Sequence, residues 1–138
     1  MRDEPAARAR VAEASMICGL AFAQSGLGAV HGIAHPLGSL LHIPHGVACA
    51  VLLPAVLRFN AAHLSDFAAA AGYRDAAALI EATIELRREL ELPENFKPWG
   101  LSAAHYGFIV ANCRSGSMKS NPAELSDAEV VAILEELS

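Results

Sequence analysis

The chain has 138 residues, 54% of them hydrophobic and 18% charged, with a formal net charge of −5. That length supports one domain with its own core, and an acidic balance without any basic run excludes the phosphate-neutralising surface that nucleic-acid binding needs. Three widely spaced cysteines, Cys18, Cys49 and Cys113, with no CxxC, read as reduced, core-packed thiols of a cytoplasmic protein.

The start, MRDEPAARAR, mixes acids with bases and lacks the basic-then-apolar order of a signal peptide. Ala, Leu and Glu are abundant and no segment alternates with a period of two. The chain therefore reads as all-helical, with no linker long enough to divide it. Pro5 suits a first helical turn, and a helix is expected over residues 5–24. The uncharged run 14–30 includes Gln24, Ser25 and three glycines over 17 residues. A membrane span needs about 20 strongly apolar residues, so this run reads as a buried core helix. Gly19, Gly26, Gly28 and Gly32 weaken an isolated helix and leave room for close approach, either by a cofactor or by another helix.

A second helix is expected over residues 27–41. Pro36 lacks an N–H and clashes with the preceding turn, which predicts a kink or a helix start near His35. His42-Ile43-Pro44 reads as a turn, and a third helix follows from His45 to Phe59, bent at Pro54. Residues 60–64 connect to a short helix capped by Ser65 and closed by Gly72. Asp75 caps the next helix. Its Leu79, Thr83, Leu86 and Leu90 share one face, with Glu81, Glu85, Arg87, Arg88 and Glu89 directed outward. Pro93 stops that helix, Trp99 plugs a core edge, and Ser102 caps another helix. Residues 114–125 form a loop. Its Ser-Gly-Ser at Ser115 to Ser117 is too short to indicate a phosphate site and reads as flexible. The last helix opens on Ser126-Asp127-Ala128-Glu129, a capping box, with Leu125 and Val130 as a hydrophobic staple.

Four of the six histidines, His31, His35, His42 and His45, fall within residues 26–54, and no Asp, Glu, Lys or Arg lies between Glu13 and Arg58. An imidazole buried without a partner costs free energy, so these rings line a site or meet water. His31 and His35 leave one face if their turn is helical, and His45 can return to the same point through the turn at Pro44. Two readings follow. The nitrogens suit zinc or ferrous iron, whose open positions polarise an alcohol or carbonyl oxygen; alternatively, the rings are hydrogen-bonded core or surface histidines. His63 and His105 stand alone and read as structural or exposed. GLGAVHG follows no strand, so the dinucleotide fingerprint does not apply.

The stretch VHGIAHPLGSLLHIPHGVACAVLLP resembles the second signature of the iron-containing (group III) alcohol dehydrogenases. ASMICGLAFAQSGLGAVHG is similar to the helix before that signature. CRSGSMKSNPAELSDAEVVAILEEL is similar to the family's end, where a loop ending in Asn-Pro precedes a capped terminal helix. The resemblance implies an all-α helical bundle like the C-terminal part of the dehydroquinate synthase-like / iron-containing alcohol dehydrogenase fold. It also implies NAD(P)-linked oxidation of a small alcohol, or reduction of an aldehyde or ketone, at Fe2+ or Zn2+. Matched position by position, it implies His31 and His45 as metal ligands and His35 as a catalytic residue beside the nicotinamide. His42 falls at a variable position, and Cys49 stands where many relatives have Asn.

The family's other two ligands, an Asp and a His in a D-x-x-x-H pattern, have no match here, nor does its GGGS-type pyrophosphate loop. Residues 1–138 are therefore expected to be a partial C-terminal metal-binding domain, with the N-terminal nucleotide-binding domain absent. Apolar faces left open would favour a homo-oligomer, or a complex with a separate chain carrying the nucleotide-binding half; neither nucleic acid nor membrane is an expected partner. Three functions follow. The chain is an enzyme component that acts only when complemented; or a non-catalytic oligomeric helical remnant with weak or no metal binding; or a free-standing metal-binding protein using His31, His35 and His45 with ligands from a second subunit.

Overall fold

A computed structural model describes residues 4–114 and 116–138. Among the described residues there is no strand, and the helices are α1 (Pro5–Ser25), α2 (Ala29–Leu41), α3 (His45–Phe59), α4 (Ser65–Ala70), α5 (Ala76–Glu89), α6 (Ala103–Asn112) and α7 (Asp127–Glu136). Short 3-10 turns cover Ala61–His63, Lys97–Trp99 and Gly116–Ser120. Ser115, the first residue of the expected flexible Ser-Gly-Ser segment, lies outside the described residues.

The centre of the bundle is the α2–α3 pair. α2 packs also against α6 and the turn Gly116–Ser120, and α3 against α5 and α7. Ile33, Leu37, Leu52, Phe96, Ile109 and Leu134 are fully buried between them, and each such side chain contributes roughly 1.5–3 kcal/mol on leaving water. Phe96 and Trp99 meet edge to face with ring centroids 6.3 Å apart. The Phe96 N–H donates to Leu137 O at 2.8 Å, tying the α5–α6 loop to the end of the chain.

The ends of the helices follow local chemistry. The Asp75 carboxylate accepts from the Ala78 N–H at 2.8 Å, and the capping box at α7 is complete. There the Ser126 N–H donates to Glu129 Oε2 at 2.7 Å and the Glu129 N–H donates to Ser126 Oγ at 3.3 Å. Leu125 and Val130, the expected staple, are both buried. At α6 the Ser102 N–H donates to His105 Nδ1 at 3.2 Å, so His105 serves the helix start.

Several expectations need correction. Residues 14–30 are not a buried core helix: no α1 residue is buried, and Val11, Met16, Ile17 and Leu20 are each more than 60% exposed. Their apolarity is real, but nothing among the described residues covers that face. Cys18 on the same helix is exposed, so only Cys113 is a fully buried thiol. α2 covers Ala29–Leu41, close to the expected second helix, and of the two outcomes expected near His35 a helix start is not seen, because α2 runs on through Pro36. The cost of an interior proline, about 3 kcal/mol, is outweighed by burial of Ile33, Ala34, Pro36 and Leu37 around it. Ser65 is not the cap of α4. Leu64 already has a helical backbone, and its carbonyl accepts from the Ala68 N–H at 2.8 Å.

On α5 the inward face is rotated by about one residue. Leu79 and Ile80 are buried while Leu86 and Leu90 are 54% and 44% exposed. Arg87, expected outward, keeps only 11% of its side chain exposed and donates to Glu94 O at 3.3 Å. Of the two readings left open for the glycines near His31, close approach by another element of this chain is seen at Gly32 and Gly26. A Cβ on Gly32 would meet Cys113 O and Met118 Cε at 3.0 Å, and one on Gly26, where φ is +75°, would clash with Ser120 Oγ.

No single helix among the described residues is long and apolar enough to cross a membrane.

Candidate metal centre

α2 and α3 are joined by only three residues, with His42 in the left-handed conformation (φ 54°, ψ 39°) closing α2. The tight turn folds α3 back along α2. It places His31, in the first turn of α2, opposite His45, the first residue of α3. His31 Nδ1 and His45 Nε2 are 3.1 Å apart, one ring donating and the other accepting. The His35 ring lies stacked on His45 with centroids 5.3 Å apart, and 6.3 Å from His31. Three of the four histidines of the stretch thus meet, and His42 does the work of the helix end instead.

A further residue joins them. Cys49 lies one turn after His45 on α3, and its Sγ is 3.5 Å from His45 Nε2 and 3.8 Å from His31 Nδ1. The donor atoms of His31, His45 and Cys49 all lie within 4.8 Å of one another. His31 and Cys49 are half-buried, while His35 and His45 are exposed. Burial, with the neighbouring charges of His45 and then His35, holds His31 below the usual imidazole range. The lowered pKa favours the neutral ring that a metal requires. Burial also pushes the Cys49 thiol up.

The donor set fits a divalent cation. Two nitrogens bonded to one metal at about 2.0–2.1 Å with tetrahedral angles sit about 3.3 Å apart, close to the observed 3.1 Å. An open cleft of about 510 Å³ adjoins the cluster, with His31, Cys49, Leu53, Asn60 and Asn121 in its wall.

Asn121 fixes where His31 sits. Its Oδ1 accepts from the Ala29 N–H at 3.1 Å, at the start of α2, and from Asn60 Nδ2 at 3.0 Å, at the end of α3. Its Nδ2 donates to Asn60 Oδ1 at 2.9 Å and to Ala123 O at 2.7 Å. One side chain from the Asn-Pro loop thus fastens both helices of the centre, and Asn60 is the one buried polar residue among those described. The sequence signals for these residues are slight. Cys49 is four residues after a candidate ligand, and Asn121 precedes a proline in a loop.

Comparison with known proteins bears on this centre. The sequence profile of the Fe-containing alcohol dehydrogenase family, C-terminal, matches residues 2–138. The 1,3-propanediol dehydrogenase of Citrobacter freundii is 36% identical over 140 aligned residues, covering 92% of this chain and 36% of that protein. The probable alcohol dehydrogenase EutG of Escherichia coli K12 is also 36% identical, covering 93% of this chain and 34% of that protein. Among solved structures, an alcohol dehydrogenase from Oenococcus oeni superposes with a TM-score of 0.82 at 32% identity, covering 91% of this chain and 36% of that one. The chain thus spans about a third of the length of these relatives.

Proposed function

From a chain that belongs to the Fe-containing alcohol dehydrogenase family, we propose that residues 1–138 form the metal-bearing helical part of an oxidoreductase. Its reaction is hydride transfer between a small alcohol and NAD(P), in the direction of an aldehyde or ketone or back. The observation that carries this reading is the 3.1 Å approach of His31 Nδ1 and His45 Nε2 from two helices beside an open cleft.

Fe2+ or Zn2+, when bound, supplies Lewis-acid polarisation of an alcohol or carbonyl oxygen. His31 and His45 hold the cation. The three-residue α2–α3 turn and the Asn60–Asn121 pair keep the two rings converged before any ligand arrives, so little ordering is needed on binding. His35, exposed and stacked on His45, would lie toward a bound nicotinamide and would take or return the proton of the alcohol. The relatives named for 1,3-propanediol point to short, polar alcohols as the substrate class.

Polypeptide beyond these residues supplies NAD(P) binding and the remaining ligands, as part of the same enzyme or as a separate chain. Its surface covers the exposed apolar side chains of α1. We assign the complex to the cytoplasm.

The test is complementation. Mixing this chain with a polypeptide carrying the family's nucleotide-binding half, in Fe2+ or Zn2+, is expected to give NAD(P)H formation with 1,3-propanediol. Neither part alone should do so, and His31→Ala or His45→Ala should abolish it. Binding of the two parts without turnover on any short alcohol, with either metal, would instead favour the non-catalytic helical remnant.

A further inference from the structure

We propose that Cys49 is a third metal ligand, so that His31, His45 and Cys49 form a His2Cys centre that this chain assembles by itself and that favours zinc over ferrous iron. The inference rests on the reading that this stretch binds a metal, and it changes what kind of metal site that is.

The first ground is placement. His45 and Cys49 are four residues apart on α3, so their side chains leave the same face one above the other. His31 reaches the same point from α2. Three donors from two rigid helices therefore converge, and none comes from a loop.

The second ground is distance. With metal–nitrogen bonds of about 2.0–2.1 Å and a metal–sulfur bond of about 2.3 Å at tetrahedral angles, nitrogen and sulfur on one zinc lie about 3.6 Å apart. The Cys49 Sγ separations here are 3.5 Å to His45 Nε2 and 3.8 Å to His31 Nδ1, and the two nitrogens are 3.1 Å apart. The three atoms already mark one face of a tetrahedron. The fourth vertex points away from them, which is the arrangement of three protein ligands with an open position.

The third ground is ligand chemistry. A thiolate is a soft ligand and, beside two imidazoles, shifts preference toward zinc. Cys49 is half-buried with its thiol against both rings. On binding, its S–H bond breaks, the proton passes to solvent, and the sulfur–metal bond forms with no change of oxidation state. The alternative for the same three atoms is an imidazole–imidazole and thiol–imidazole hydrogen-bonded cluster that binds nothing.

The experiment uses the 138-residue chain with Co2+ as a spectroscopic probe and Zn2+ as competitor. It includes Cys49→Ser and Cys49→Asn variants, their folding checked by circular dichroism. The expected result is a sulfur-to-cobalt charge-transfer band in the near ultraviolet, absent from both variants. Zn2+ binding should weaken at least about tenfold in each variant, the scale on which even supporting groups around a metal act. Bound Zn2+ should also slow alkylation of Cys49 but not of the exposed Cys18. Binding of Co2+ without that band, with affinity unchanged in both variants, overturns the Cys49 assignment and leaves a histidine-only site standing. No saturable binding of either metal overturns the claim that this chain holds a metal unaided, while the complementation assay separately judges the dehydrogenase reading.

Discussion

α1 and α3 look alike as text and end in opposite surroundings. α1 is charged only at Arg8, Arg10 and Glu13, in its first half, and α3 only at Arg58. Yet α3 buries Ala48, Val51, Leu52, Pro54, Ala55 and Val56, whereas α1 buries nothing and leaves Met16, Ile17 and Leu20 in water. The difference lies in what the chain provides around each helix. α3 has α2, α5 and α7 as neighbours within these residues. An apolar face states that it needs a cover, not which polypeptide supplies it. The candidate metal centre sits on the well-supported side of this divide, on α2 and α3, and this is why its histidines converge within these residues.

The comparison is tested most strongly by truncation. Leu52→Ala, at a fully buried position on α3, is expected to cost about 2–5 kcal/mol in chemical denaturation. Leu20→Ala, 67% exposed on α1, should stay within about 0.5 kcal/mol in this chain alone. It should become costly once the nucleotide-binding half is present. An equal effect of the two substitutions in the isolated chain would remove the distinction between the helices.

Asn121→Ala is expected to cost about 1–3 kcal/mol, because it strips partners from Asn60 and from the Ala29 N–H and leaves buried polar groups unpaired. Because Ala29 lies at the base of the turn that carries His31, the same variant should weaken metal binding. Loss of stability with unchanged metal affinity would separate the fold of α2 from the geometry of the centre.

The smallest effects concern helix ends. α7 has a complete capping box while α1 begins without any side-chain cap. Ser126→Ala is expected to cost about 1 kcal/mol. The Ser126 hydroxyl and N–H hold Glu129 below the usual carboxylate range. The folded pKa is thus lower than the unfolded one. The contribution of Glu129 is present above the ordinary carboxylate pKa and is lost as pH falls through the lowered value. Glu129→Gln should flatten that part of the acid limb of the stability curve, and an unchanged limb would show that the box carries no such linkage.

Much of the architecture was legible because helix ends are written locally. Asp75, Ser126 with Glu129, and Pro5 all stand where the expected helices begin. The α5 face was misassigned because Leu79, Ile80, Ile84, Leu86 and Leu90 circle the helix, and only the tertiary position of α3 selects among the competing stripes. In the centre, the spacing of His31, His35 and His45 was a sufficient signal for convergence. Cys49 was not, because a single thiol in an apolar helix reads as packing until the His45 ring is seen one turn before it. Asn121 was invisible for a different reason: its four hydrogen bonds run to residues distant in sequence or within its own loop.

The most direct measurement is a Zn2+ and Fe2+ titration of the 138-residue chain beside His31→Ala and His45→Ala, each confirmed as folded. A single saturable site in the unaltered chain, lost in both variants, is the expected result. Binding that survives both substitutions, or no binding by the unaltered chain, would contradict the placement of a metal centre on α2 and α3.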